Sequence, residues 1–195
     1  ILIINKETEN VMNTVEKLKK ELEKDSALLI SDSAARFYVT GFDSSAGYVL
    51  ITRNTAHFLI DFRYFEKAGK TVTSCEVALS VKPFEEIKQI CEKEGVKNLY
   101  IESTHTTLSD YKTLCEKLSP VNVLNNDRFD KILCSLRAVK SKRELEYINE
   151  AQKLTDRTFS YITSRIAKGM TEREIMLDME FFMRRLGSQG VSFDF

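Results

Sequence analysis

Histidine is nearly missing from this 195-residue chain: there are two, beside four cysteines that are widely spaced and form no C-x-x-C pair. Zinc sites draw their ligands from Cys, His and carboxylates at short, regular spacings, so a zinc site is not expected. Cys75, Cys91, Cys115 and Cys134 sit inside apolar patterns and read as buried, reduced thiols, which points to the cytoplasm. Net charge is missing as well. Lys plus Arg and Asp plus Glu number 29 each, leaving no overall field to draw in nucleic acid or an anionic membrane. No window reaches the roughly 20 apolar residues that a membrane helix requires. The opening ILIINKETEN is too short an apolar run for a secretory leader and has no basic residues before it. It also lacks an initiator Met and reads as a processed or engineered end. No G-x-S-x-G surrounds Ser44 or Ser45, and GFDSSAG lacks the Gly-Lys-Ser/Thr of a phosphate loop, so neither a serine nucleophile nor a nucleotide cradle is indicated.

What is present is a chain 43% hydrophobic and 30% charged, the balance of a globular protein with a real core. Val11, Val15, Leu18 and Leu22 recur at helical spacing, with KLKKELEK as the solvated face. ALLI at 27–30 reads as a buried strand. Residues 36–40 and 48–52 read as further strands around the turn region between Gly41 and Gly47, where glycine permits dihedrals closed to other residues. ITRNTAHFLID predicts a hairpin about Arg53-Asn54-Thr55. The pattern turns helical through Phe65 and Ala68, and a Thr/Val-rich strand follows over 71–78. Pro83 opens a helix with Phe84, Ile87 and Cys91 inside and Gly95 after it. NLYIE predicts a strand, Thr107-x-x-Asp110 a helix start, and VNVL a last strand. Strands alternating with helices predict an α/β layer domain over 1–130.

The pattern changes after a linker at 131–140. Ser141-x-x-Glu144 and Thr171-x-x-Glu174 are capping boxes, each satisfying two orphan N–H groups at a helix start. The first helix carries Leu145, Ile148, Ala151, Thr155, Phe159, Ile162 and Ile166 and is closed by Gly169. The second carries Ile175, Met179, Phe182 and Leu186 and is closed by Gly187. VSFDF is a β-like fragment with nothing to pair against, so the chain reads as cut.

Three segments resemble the aminopeptidase P / prolidase / creatinase family. RFYVTGFDSSAGYVLIT with LIDFRYFEKA is similar to its aromatic-Tyr-x-Thr-Gly-Phe and Asp-Gly-Arg-Tyr segments. LRAVKSKRELEYINEAQKLTDRTF is similar to its Arg-x-x-Lys linker and the first helix beyond, and KGMTEREIMLDMEFFMRRLGSQGVSFDF to its Gly-x-Thr-Glu helix and Ser-Phe-Asp. The implied fold is a creatinase/prolidase N-terminal domain, a mixed sheet flanked by helices in the ribonuclease H-like manner. Residues 141–195 would then be the first two helices of a truncated pita-bread domain. The implied parent is a cytoplasmic hydrolase, a metallopeptidase of aminopeptidase or Xaa-Pro dipeptidase (prolidase) type. It would act on proline-containing peptides as a homodimer, using two divalent ions, commonly manganese, held by two Asp, one His and two Glu. Those ligands lie beyond the Ser-Phe-Asp segment, so this chain is expected to hold no metal, to be inactive alone, and to serve dimerisation and substrate access. The family also has metal-free, non-peptidase members, and a binding or oligomerisation module is the alternative.

Four residues are nominated for substrate access. Arg63 would reach the partner subunit's site, where its planar fork suits a peptide carboxylate; a salt bridge with Asp61 is the structural alternative. Phe62 stands where the family has Gly. Asp43 is either a turn aspartate bonded to its own backbone or a rim residue. Phe42 and Tyr38 form a wall for a proline ring or belong to the core. His57 and His105 are not assigned to metal, Arg137 and Lys140 are read as interdomain hydrogen-bonding residues, and Asp194 receives no ligand role.

Overall fold

The computed structural model describes residues 8–192, with side chains from residue 14 onward. The chain divides into two compact units after Val139.

The first unit is built on six strands: β1 (Ser26–Ile30), β2 (Tyr48–Thr52), β3 (Ala56–Ile60), β4 (Glu76–Leu79), β5 (Asn98–Ile101) and β6 (Asn122–Leu124). Their order is β4-β3-β2-β1-β5-β6. β1, β2 and β3 pair antiparallel, while β1–β5, β5–β6 and β3–β4 are parallel. Successive side chains on a strand point to opposite faces. Leu28 and Ile30 therefore join Val49, Ile51, Phe58 and Ile60 in one core layer, and Ala27 and Leu29 join Leu50, Leu59, Leu99 and Ile101 in the other. Both faces being covered explains why β1 reads as an unbroken apolar run. A slip of one residue would exchange the two layers.

The connecting helices α1 (Thr8–Glu21), α2 (Ser33–Thr40), α3 (Phe62–Thr71) and α6 (Arg128–Ala138) contribute to the first layer. The helices α4 (Pro83–Glu94) and α5 (Leu108–Leu118) contribute to the second. β1 runs into α2 on one face, and its parallel neighbour β5 runs into α5 on the other, so a crevice opens at their C-terminal ends. This is a topological switch point, the place where open α/β sheets bind ligands.

Three sequence expectations fail in this unit. Residues 36–40 are helix, not strand. Asp32 caps α2 by accepting from Ala35 N at 2.8 Å, and Gly41 ends it at φ 67° with its N–H on Phe37 O. The i, i+4 pair Ala35 and Val39 faces the core; aromatic and branched residues had suggested a strand, and the caps outweigh that propensity. Residues 131–138, read as linker, belong to α6. Phe129 and Leu133 are buried, with Ile132 and Leu136 packed beside them, an apolar stripe at helical spacing. β4 is also later and shorter than the expected 71–78, because α3 continues to Thr71. Of the α1 stripe, Val15, Leu18 and Leu22 are buried; the Val11 side chain lies outside the described residues.

The second unit contains α7 (Lys142–Thr163) and α8 (Glu172–Arg185), and both capping boxes are formed. Tyr161 stacks on Phe182 at 3.9 Å, its hydroxyl donating to Asp178 at 3.0 Å, and Arg165 Nε donates to the same carboxylate at 2.9 Å. Leu145, Ile148, Phe159 and Ile166 are exposed, whereas Thr158 and Ile162 are buried. α7 stops at Thr163, ahead of Gly169. Most of VSFDF, Asp194 included, lies outside the described residues.

Candidate functional site

The segment from 41 to 47 leaves α2 and returns to the sheet under tight steric control. Gly47 has φ 119°, and a Cβ there would sit 3.0 Å from Leu59 O and 3.2 Å from the Phe58 ring, so a side chain is excluded twice over. Phe42 turns inward and is buried, edge-to-face with Phe58 at 6.1 Å and with Tyr64 at 6.2 Å. Beneath the segment, buried Arg36 donates through Nη2 to Ser44 O at 2.9 Å and through Nη1 to Ser31 O. The guanidinium Nε and Ser44 Oγ are buried without a hydrogen-bond partner. Burial pushes the Arg36 pKa down, against the nearby Asp32 and Glu102 carboxylates.

Across this segment stands the N-terminus of α3. Asp61 caps it, Oδ1 accepting from Arg63 N at 2.9 Å. The same carboxylate receives the Arg63 side chain, Nε at 3.1–3.2 Å and Nη2 at 2.6 Å. The Arg63 hydrogen bonds hold the Asp61 carboxyl below the usual carboxylate range, and the pairing raises Arg63 in turn. Arg63 also lies over the Tyr64 ring at 5.2 Å, and the Tyr64 hydroxyl meets Ser45 Oγ at 2.9 Å, which lowers the phenol's pKa. The guanidinium is thus aimed by three contacts while half its side-chain surface stays open, at 52%. Its Nη1 makes no hydrogen bond among the described residues.

The four nominated residues therefore separate. Arg63 and Phe42 are joined through Tyr64. Asp43 is exposed on the same loop. Tyr38 stands apart, on α2, its hydroxyl donating to Leu136 O at 3.0 Å. Of the two roles open to Arg63, the Asp61 pair is formed, and it orients the fork without occupying it fully. Chemically this rim can bind a carboxylate or a peptide carbonyl and can position it; it presents no activated nucleophile.

The histidines have structural neighbours. His57 contacts Glu76 at 3.3 Å and Thr55 Oγ1 at 3.0 Å, and burial pushes its pKa down despite Glu76. His105 lies 3.6 Å from Asp32. Among the described residues no three His, Cys, Asp or Glu side chains come together as a metal site. The helical carboxylates are engaged elsewhere: Glu144 and Glu174 in capping boxes, Asp178 on Arg165, and Glu180 on Arg184. Among the described residues these side chains form no set that fits a divalent pair. Nor is any helix of the described residues long and apolar enough to cross a membrane.

Sequence reading missed Glu102. Its carboxylate is buried at the end of β5 and accepts from Ser31 N at 2.6 Å and Asp32 N at 2.8 Å. The only sequence signal was an acidic residue directly after the apolar strand NLYI.

Residues 14–139 match the family model of the creatinase/prolidase N-terminal domain. The chain is 30% identical over 184 residues, 92% of its length and 51% of the relative's, to the uncharacterized peptidase YqhT of Bacillus subtilis strain 168. Among solved structures it is similar to an Xaa-Pro dipeptidase from Bacillus anthracis, with TM-score 0.83, 28% identity, and coverage of 94% of this chain and 51% of that one. It is likewise similar to an X-Pro aminopeptidase from Thermotoga maritima MSB8, with TM-score 0.79, 27% identity and coverage of 91% and 51%. The chain spans about half the length of the curated relatives it matches.

Proposed function

Because the chain belongs to the creatinase/prolidase N-terminal domain family, we propose that it is the N-terminal portion of a metal-dependent Xaa-Pro aminopeptidase or dipeptidase. Its work is to support a homodimer and to control which proline-containing peptides enter the partner's site. Bond cleavage, with its two manganese-type ions, belongs to the other half of such a parent, and no residue of this chain is assigned to the metals. The parent works in the cytoplasm.

The observation that carries this reading is the aimed but unfilled guanidinium of Arg63. Asp61 fixes two of its nitrogens and Tyr64 supports its plane, so one edge stays ready for a second carboxylate without reorganisation. Phe42 is buried against Tyr64 and gives the rim a stiff base, while Asp43 stays exposed on the loop that carries Phe42.

The test is steady-state kinetics of the full-length parent carrying Arg63→Ala, on an Xaa-Pro dipeptide and on its C-terminal amide. Loss of a charge-assisted contact to a carboxylate predicts KM for the free acid raised about tenfold or more, with kcat little changed. The amide, which lacks the carboxylate, should be affected far less. Unchanged kinetics on both substrates would remove Arg63 from substrate access.

A further inference from the structure

β4 is one edge of the sheet: β3 pairs along one side of it, and among the described residues no strand lies along the other. An open edge offers unpaired N–H and C=O groups, and proteins that keep one bare shield it with lysine, proline or a bulge. β4 reads EVAL, with neither lysine nor proline, and its register with β3 is unbroken. Val77 stands opposite Phe58 and Leu79 opposite Ile60, so both point to the layer that contains α3, while Ala78 packs into the other. Leu79 is nonetheless 47% exposed, and Val81, two residues further on, is 80% exposed. The helix packed beside β4, α3, leaves Phe62 and Phe65 exposed as well.

The occupant of this edge follows from its hydrogen-bonding groups and its sequence. Ser80 N donates to Ile60 O at 2.8 Å, continuing the β3 pairing past Leu79. Backbone groups alternate sides along a strand, so those of Val77 and Leu79 point away from β3. Val81 N, on the same outer side, is already taken by Glu86 Oε1 at 3.0 Å. Residues 76–82 read EVALSVK. Turned antiparallel on itself about Leu79, this segment sets Glu76 against Lys82, Val77 against Val81 and Ala78 against Ser80. Opposite charges, branched pairs and small pairs thus fall together, each a favourable cross-strand combination. No other register opposes the two charges. Both are exposed, and their present contacts, Glu76 with His57 at 3.3 Å and Lys82 with Glu85 at 3.2 Å, are surface pairs of little strength.

We propose that β4 pairs with β4 of a second copy of this chain, antiparallel about a two-fold axis at Leu79, joining the two sheets into one. Leu79 N–H of each copy donates to the Leu79 carbonyl of the other, and Val77 N–H to the Val81 carbonyl. Val77, Leu79 and Val81 of both copies then form one apolar row on the α3 side. Glu76 and Lys82 pair at each end on the opposite face. This deepens the homodimer of the proposed function, on which it rests for the existence of a dimer, by naming its surface and register.

The test is sedimentation velocity of the 195-residue chain over a concentration series. A paired edge is a small interface, so a dimer dissociating at about 10–100 µM is expected. Glu76→Lys sets lysine against lysine at both ends and should raise that constant about tenfold or more. Adding Lys82→Glu to the same chain restores opposite charges and should bring the constant back. The register is read by copper-phenanthroline oxidation in a Cys134→Ser background, which removes the exposed native thiol. Leu79→Cys should cross-link, because residues facing each other on the axis lie about 5.5 Å apart, within disulfide reach. Val81→Cys, although more exposed, should not, because its counterpart lies about 13 Å away along the strand. The inference is overturned if Glu76→Lys leaves the dimer unchanged, if the double variant is not rescued, or if Val81→Cys cross-links as fast as Leu79→Cys. In those cases a homodimer through another surface still stands; a chain monomeric up to about 500 µM would overturn the inference and that homodimer together.

Discussion

Arg63 was legible as a chemical type and not as a geometry. DFRYF names a guanidinium after an aspartate, but whether the two residues cap a helix or cross a strand is decided by the α3 backbone. In the structure Asp61 does both jobs, receiving Arg63 N and the Arg63 side chain on one carboxylate. The thiols show the same limit. Apolar spacing placed all four inside, yet only Cys75 and Cys91 are buried; Cys115 is intermediate and Cys134 exposed. Burial pushes the Cys75 and Cys91 thiols up to about 11, leaving almost no thiolate at neutral pH. Thiol titration of the native chain should therefore label Cys134 first and Cys115 more slowly, with Cys75 and Cys91 reacting only on unfolding. Fast reaction of Cys91 would contradict the packing of α4. Glu102 gives a pH prediction. Burial raises its pKa, against the Ser31 and Asp32 amides that lower it. Between the ordinary value of about 4.3 and the raised folded one, the folded state keeps a proton that the unfolded chain has lost. Stability from this group thus falls as pH rises through that window. Glu102→Gln cannot titrate, so urea unfolding should show its stability relative to the unmodified chain improving from about pH 4 to pH 7. A trend in the opposite direction would mean that the amides outweigh burial.

At the scale of elements, strands buried on both faces and the capping boxes were readable because each carries a local signal: ALLI, S-x-x-E and T-x-x-E. α2 was misread because its eight residues are rich in aromatic and branched side chains, and the deciding features are a single-residue cap at each end. α6 was misread because its stripe follows a polar NND turn and merges with the charged run before Ser141. If α6 were a linker, Phe129 could be truncated with little effect. It is instead fully buried, 4.8 Å from the Tyr100 ring, with Arg128 lying over it at 5.3 Å. Phe129→Ala should therefore cost about 3–5 kcal/mol in urea unfolding. A loss below about 1 kcal/mol would contradict the packing of the start of α6 against Tyr100.

For the whole molecule, alternation of strands and helices was enough to state an α/β class with a mixed sheet, and the family match agrees with it. The switch-point crevice was not readable, because it depends on which face each helix takes after its strand, and one sequence does not state that. The match ends at residue 139, where the first compact unit ends. The central proposal is a division of labour, in which these 195 residues would position and admit prolyl peptides and a separate half of the parent would cleave them. The most direct measurement is proline release from an Xaa-Pro peptide with added manganese, comparing this chain with the full-length parent at equal concentration. The account predicts turnover by the parent and a rate from the chain equal to buffer; manganese-dependent release by the chain alone would contradict it.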